Sequence, residues 1–158
     1  MPATVPRTAR LLLVLTLTSV LTGCGIPVDP DGTLERIDVD GTLRAGASPS
    51  GELVRVSGDG VAGPLVDLVE GFARTHGAEV IWSVESEEAL VDDLESGVLD
   101  LAVGGMTDQT PWGDRVSVTR GFTGIPGAEA IPVVALLPMG ENAMQSALET
   151  YLDEELER

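Results

Sequence analysis

The stretch LESGVLDLAVGGMTDQTPWGDR, residues 94–115, decides the fold class of this 158-residue chain. Gly97 ends a predicted helix, residues 98–105 form an apolar strand, and the Gly104-Gly105 pair begins a polar loop. In open α/β sheets, ligands bind at the carboxyl ends of the strands. The stretch therefore predicts an α/β protein with a candidate binding loop from Gly105 to Arg115.

The alternation of strand and helix continues on both sides of this stretch. Strands are predicted at 42–47 and 78–84, and helices between Gly63 and Gly77 and after the N-cap Ser86. A loop is predicted at 48–60, with room for a short hairpin around residues 52–56. An outer strand is predicted at 115–119, an apolar strand at 131–138 and a helix at 141–156. Short connections and apolar strands favour a single three-layer lobe with a mostly parallel sheet over residues 42–158.

The first 23 residues have the pattern of an export signal. Arg7 and Arg10 precede an apolar core at residues 11–21, which is too short to span a bilayer as a helix. The sequence LTGC at residues 21–24 resembles the lipobox of bacterial lipoproteins, which implies cleavage before Cys24 and lipid attachment to it. The alternative is a free or buried cysteine after an apolar run. We predict an extracytoplasmic protein that is lipid-anchored to the bacterial cell membrane.

The rest of the chain is strongly acidic. Removal of residues 1–23 leaves seven arginines and no lysine against 26 acidic residues, a formal charge of −19. Such a charge disfavours nucleic acid as a partner. Residues 24–41, rich in Gly, Pro and Asp, are predicted to be a tether. The pairs Glu87-Glu88 and Asp92-Asp93 are expected on a solvated helix face.

Several motifs resemble the first lobe of bacterial extracellular solute-binding proteins of family 3, the polar amino-acid-binding type that serves ABC importers. They are Asp67-Leu68 near a helix start, Leu94-x-x-Gly97-x-x-Asp100 before a strand, and GMT at residues 105–107 followed by RVSVT at 115–119. Residues from 131 onward resemble the family's late strand and helix. A whole second lobe separates these parts in the family, whereas only residues 120–130 do so here. The resemblance thus implies one lobe of a two-lobe fold.

The resemblance also implies a ligand site, with departures that weaken it. Family members place an arginine for the ligand's α-carboxylate five residues after the GMT threonine; here Trp112 stands there, and Arg115 follows three residues later. The loop at 48–60 also lacks the family's aromatic residue. We expect Ser48, Gly105, Thr107, Trp112 and Arg115 to form a weak site for a small polar solute. The alternatives are that Thr107 caps a turn, Trp112 covers the sheet end and Arg115 forms surface ion pairs.

These features favour an accessory or sensor component of a membrane transporter. The alternative is a functional substrate-binding lipoprotein of an ABC importer for amino acids or other small polar solutes, with a site completed by a second copy. We expect no enzyme, no cofactor and no metal. The single histidine, His76, is expected to contact the carbonyls at a helix end, and no Ser-His-Asp order, Cys/His cluster or phosphate-binding glycine motif is present.

Overall fold

The computed structural model of the protein describes residues 29–58 and 60–157. The predicted signal peptide at residues 1–23, the predicted lipidation site Cys24 and the start of the predicted tether lie outside the described residues. None of the described helices is long and apolar enough to cross a membrane. The described part comprises the predicted lobe and the end of the predicted tether.

A five-stranded sheet forms the middle layer of the lobe. Its strands are β1 (Thr42–Ala47), β4 (Glu79–Val84), β5 (Leu101–Val103), β6 (Ser117–Val118) and β7 (Leu136–Leu137), and a separate antiparallel hairpin contains β2 (Arg55–Ser57) and β3 (Gly60–Ala62). The order across the sheet is β4-β1-β5-β7-β6. β1 pairs in parallel with β4 and β5, whereas β7 pairs antiparallel with β5 and β6. The prediction of an α/β lobe with a mostly parallel sheet is confirmed.

Helices cover both faces of this sheet. They are α1 (Thr33–Asp40), α2 (Pro64–Thr75), α3 (Glu87–Glu95) and α4 (Asn142–Leu156). α1, α2 and α4 contribute to one apolar core, and α3 contributes Leu90 and Leu94 to the other. Because successive strand residues point to opposite faces, Leu101 belongs to the first core and Ala102 to the second. The structure therefore has the predicted three layers.

The ends of the two central helices follow the local sequence signals. α2 begins with Pro64 at its first turn and is followed by Gly77, which has a φ of 66°. The side chain of Ser86 accepts a hydrogen bond from the Ala89 N–H at 3.4 Å and caps α3. Both helices therefore begin on the side of the sheet where β1 and β4 end, which is its carboxyl edge.

The prediction of a tether is wrong for residues 33–40, because they form α1 and pack on the lobe. Thr33 and Ile37 are buried, and Arg36 pairs with the buried carboxylate of Asp100. Eight residues with one large buried apolar side chain show too little periodicity for the helix to be predicted from the sequence. The folded lobe therefore includes α1.

Other predicted elements are shorter or displaced. The apolar run at 131–138 is in the sheet, but only Leu136–Leu137 form a regular strand, since Val133 makes isolated bridges with Thr107 and Phe122. The predicted hairpin near Glu52 lies further along, at β2 and β3, where Ser57 pairs with Gly60. The outer strand predicted at 115–119 is confirmed as β6, at the edge of the sheet.

Residues 120–130, here called the connector, lie between β6 and the apolar run at 131–138. Phe122 and Val133 exchange both backbone hydrogen bonds, at 2.8 and 2.9 Å, and so close the connector at its base. Phe122, Ile125 and Ala128 are 6, 2 and 3% exposed and belong to the core that α2 contributes to. The connector therefore buries its apolar side chains against its own lobe.

Candidate functional site

The loops that follow β1 and β5 meet at the carboxyl edge of the sheet. The Ser48 N–H donates a hydrogen bond to the Val103 carbonyl at 2.9 Å. Gly105 has a φ of 78°, and a Cβ on this residue would lie 2.1 Å from Ser50 Oγ. Only glycine fits this backbone and this contact. Ser48 and Gly105, two of the predicted site residues, therefore lie in adjoining loops.

Thr107 lies in a tight turn beside this contact. Its carbonyl accepts a hydrogen bond from the Thr110 N–H at 2.9 Å, and its Oγ1 accepts one from the Gln109 N–H at 3.4 Å. The long second contact is weak, so the hydroxyl keeps most of its hydrogen-bonding capacity. These contacts agree with the alternative interpretation, in which Thr107 caps a turn. Its hydroxyl group is nevertheless a polar group at the carboxyl edge of the sheet.

An open depression of about 250 Å³ lies next to this turn. Most of its wall comes from the loop after β5, and one charged side chain comes from the first turn of α3. The lining residues are Glu87, Gly105, Met106, Thr107, Gln109, Thr110 and Pro111. Two of the five predicted site residues, Gly105 and Thr107, therefore contribute to one concave surface, and Ser48 lies in the loop behind it.

Trp112 lies on the face of the sheet that α3 covers. It is half-buried and packs against the core that contains Leu90 and Leu94. Its Nε1–H points to Glu87 Oε2 at 3.5 Å, which is at the limit of a hydrogen bond. The indole thus contacts the start of α3, and it is outside the set of residues that line the depression.

Arg115 is held by two carboxylates on α3. Its guanidinium donates to Asp92 Oδ1 at 2.7 Å, and its Nε donates to Glu95 Oε2 at 3.1 Å. The guanidinium carbon lies 5.7 Å from the centre of the Trp112 ring. The pKa of Arg115 is raised by the hydrogen bonds to Glu95 and Asp92. Arg115 is therefore engaged on the outer surface of α3 and does not line the depression.

Other candidate residues have contacts that the sequence did not predict. The expected contact of His76 with helix-end carbonyls is made by its backbone N–H, which donates to the Ala73 carbonyl at 3.0 Å. Its side chain pairs with Asp38 of α1, with 2.7 Å between Nδ1 and Oδ1. The expected solvated face of α3 is partly engaged, since Asp92 binds Arg115 and Glu87 faces Trp112. These side-chain contacts join segments that are distant in sequence, so no local pattern could have indicated them.

Two wall residues of the depression, Glu87 and Thr110, were missed as site residues. Thr110 Oγ1 is shielded from solvent and has no hydrogen-bond partner among the described residues. Glu87 could have been predicted as a site residue, because α3 begins after β4 at the same carboxyl edge as the GMT loop. Within residues 29–58 and 60–157, no group of three or more His, Cys, Asp or Glu side chains is arranged to hold a metal ion.

No protein-family model matches the sequence, and no curated protein matches it. Solved structures do match. The arginine-bound form of a point mutant of domain 1 from TmArgBP has a TM-score of 0.69 at 19% identity, covering 79% of this chain and 99% of that chain. An ancestral cationic amino acid solute-binding protein has a TM-score of 0.67 at 12% identity, covering 79% and 94%. This ancestor is also described as a precursor of cyclohexadienyl dehydratase.

A larger protein matches over one part of its length. A histidine-bound substrate-binding protein of an ABC uptake transporter from Streptococcus pneumoniae has a TM-score of 0.53 at 17% identity. The match covers 61% of this chain and only 39% of that chain. By contrast, a single domain of the arginine-binding protein is covered almost completely. The chain has the fold of one lobe of a solute-binding protein.

Proposed function

We propose that this chain is a lipid-anchored, extracytoplasmic domain that serves a membrane transporter as an accessory or sensor component. The lipobox at Cys24 supports the anchor, and the strongly acidic composition is compatible with a domain exposed to an aqueous compartment. The matching structures are described as amino-acid-binding or solute-binding proteins, which supports a role next to transport. The same neighbours favour binding over catalysis.

The main support for the accessory role is that Arg115 forms ion pairs with Asp92 and Glu95. Recognition of an α-carboxylate requires a planar, bidentate donor that is free to face the ligand. Trp112 holds the position where the resemblance implies this donor, and the nearby guanidinium is bound to Asp92 and Glu95. The loop that would capture an amino acid therefore lacks its main electrostatic contact.

The connector supports the same proposal. In a two-lobe binding protein, a second lobe closes over the ligand by a hinge motion. Here Phe122 and Ile125 of the connector are buried in the lobe's own core. A solute on the carboxyl edge would keep one side in water, whereas small ligands usually have about 70–90% of their surface buried.

The second candidate function is that of a substrate-binding lipoprotein for an ABC importer. One observation favours it: domain 1 from TmArgBP, a single domain, is described in an arginine-bound form. A missing second lobe is therefore not by itself an obstacle to solute binding. For this candidate, Gly105 and Thr107 would receive the solute, and a second copy of the chain would complete the site.

Calorimetry separates the two candidates. We expect the full chain, purified in detergent, to bind each standard amino acid no more tightly than about 1 mM, because loss of a buried charge-paired contact costs about 2–5 kcal/mol. Thr107→Ala should then leave the titration unchanged. A micromolar dissociation constant that Thr107→Ala weakens would support the importer receptor instead. A permease gene and an ATPase gene beside the coding gene would point the same way.

A further inference from the structure

The depression at the carboxyl edge carries a negative charge where an amino-acid site needs a positive one. Glu87 is the charged residue among those that line it. We propose that the depression binds a small organic cation that lacks a carboxylate, such as an amine or a guanidinium compound. This inference deepens the proposed function by giving its binding edge a ligand class, and it does not depend on the transporter.

The first argument is that the described arginines are engaged elsewhere. Each has at least one acidic partner: Arg36 and Arg44 with Asp100, Arg55 with Glu52, Arg74 with Glu70, Arg115 with Asp92 and Glu95, and Arg120 with Glu149 and Asp153. A ligand carboxylate in the depression would therefore face Glu87 without a compensating guanidinium on the wall. Repulsion from Glu87 would therefore weaken the binding of anions and zwitterions, and attraction to Glu87 would favour a cation.

The second argument is that the wall offers hydrogen-bond acceptors that are not saturated. Within the described part of the chain, the Glu87 carboxylate accepts a contact from the Trp112 Nε1–H at 3.5 Å, whereas a carboxylate can accept about four hydrogen bonds. Thr107 Oγ1 likewise has one weak contact, with the Gln109 N–H at 3.4 Å. An ammonium group has N–H donors for such oxygens and no acceptor, so it is complementary to this wall.

The third argument is the charge of the surroundings. Glu85 is placed at the same edge by its N–H, which donates to the Ala47 carbonyl at 3.1 Å. Glu85 and Asp108 are both exposed: Glu85 lies two residues before Glu87, and Asp108 lies between Thr107 and Gln109. A concave surface with a rim of one sign concentrates ions of the opposite sign. The rim therefore raises the local concentration of cations at the depression.

Agmatine and arginine form a matched pair of probes, because agmatine is arginine without its α-carboxylate. The experiment titrates each into the isotope-labelled full chain in detergent micelles at low ionic strength and follows the amide shifts of Gly105, Thr107, Gln109 and Thr110. We expect agmatine to bind at least about threefold more tightly than arginine, and added salt to weaken the binding. Equal affinities, tighter binding of arginine, or no shifts with agmatine would overturn the inference.

Two variants and one control locate the site. Glu87→Gln should weaken agmatine about two- to fivefold, the range of a partly exposed ion pair, whereas Glu88→Gln removes the same charge from the exposed neighbouring residue and should change little. Thr107→Val, which keeps every charge, should also weaken agmatine. Equal effects of the two glutamate variants would show a general field and no site. Absent agmatine binding would leave the accessory role intact, whereas micromolar arginine binding would overturn that role as well.

Discussion

Asp100 joins three segments of the chain through one buried carboxylate. Its side chain is 1% exposed, and it accepts a hydrogen bond from the Arg44 backbone N–H at 2.9 Å. The guanidinium groups of Arg36, on α1, and Arg44, on β1, both contact it. Arg44 also donates to the Gly97 carbonyl at 2.8 Å. The aspartate of the Leu94-x-x-Gly97-x-x-Asp100 motif thus fixes α1 and the start of β5 to β1.

Replacing this carboxylate should destabilise the fold strongly. We expect Asp100→Asn to lower the free energy of unfolding by about 2–3 kcal/mol, because charged hydrogen bonds are lost and the two arginines remain close together. Asp40→Asn, at the exposed end of α1, is the control and should change it by less than about 0.5 kcal/mol. Urea denaturation of both variants measures the difference. Similar losses in the two variants would contradict the role given to Asp100.

At the residue scale, the sequence predicted which residues lie in the loop after β5 but not their partners. The GMT motif correctly placed Gly105 and Thr107 at the carboxyl edge. Arg115 was assigned to the same site, yet its carboxylate partners lie on α3, 20 and 23 residues earlier in the chain. Pairing over such a distance depends on how α3 crosses the sheet, which side-chain chemistry alone does not specify.

At the scale of elements, predictions succeeded where many apolar positions recur. α2 has six buried residues that recur at helical spacing, and Pro64 and Gly77 indicate where the helix begins and ends. α1 has two buried residues and is held by Arg36 and Asp100, so its sequence resembles a polar tether. The apolar run at 131–138 correctly predicted burial for residues 133–138, but its division into bridges and a short strand depends on the connector and the GMT loop.

Substitutions in and beside the connector test whether it is part of the core of the lobe. Ile125 is 2% exposed in the core, whereas Ile131, just beyond the connector, is 52% exposed. We expect Ile125→Ala to lower the free energy of unfolding by about 2–5 kcal/mol, because a cavity is left in the core, and Ile131→Ala to change it by less than about 0.5 kcal/mol. Thermal and urea unfolding compare them. Equal, small effects would show that the connector is not part of the core.

Two carboxyl groups join the beginnings of α1 and α4. Glu141 is fully buried and accepts hydrogen bonds from the N–H groups of Asp31 at 2.9 Å and Thr33 at 3.1 Å. Asp29 accepts one from the Leu34 N–H at 2.8 Å. Burial raises the pKa of Asp29, and its hydrogen bond with Glu141 raises it further. Burial opposes ionisation of Glu141, but hydrogen bonds from Asp29, Asp31 and Thr33 outweigh this and lower its pKa.

The pair makes stability depend on pH with a defined sign. The contribution of Asp29 is present below the ordinary aspartate pKa and is lost as pH rises through its raised pKa; that of Glu141 is lost as pH falls through its lowered pKa. We therefore expect the stability of the natural chain relative to Asp29→Asn to fall as pH rises from about 4 to 7. A relative stability that rises over this window would exclude a shared proton on Asp29.

At the scale of the whole molecule, the position of Asp29 determines which edge of the sheet would face the membrane if a lipid anchored the chain at Cys24. Asp29 lies beside Glu141, just after β7, whose end is at the amino edge of the parallel strands. Asp29 lies five residues after Cys24, and a chain of that length spans at most about 18 Å. A lipid on Cys24 would therefore keep this edge near the bilayer. The depression lies at the opposite, carboxyl edge, about 20 Å further along β1.

Lipidation at Cys24 is the prediction on which this arrangement depends. The full chain expressed in a bacterial host should incorporate labelled palmitate and collect in the membrane fraction, because the lipobox directs lipid to the cysteine. Cys24→Ser should abolish the label and leave an uncleaved precursor or a released domain, whereas Thr22→Ser, which keeps the cysteine, should preserve the label. Mass spectrometry of the amino terminus identifies the product. A Cys24→Ser chain that is cleaved normally and remains on membranes would show that another contact, and not a lipid, holds the domain there.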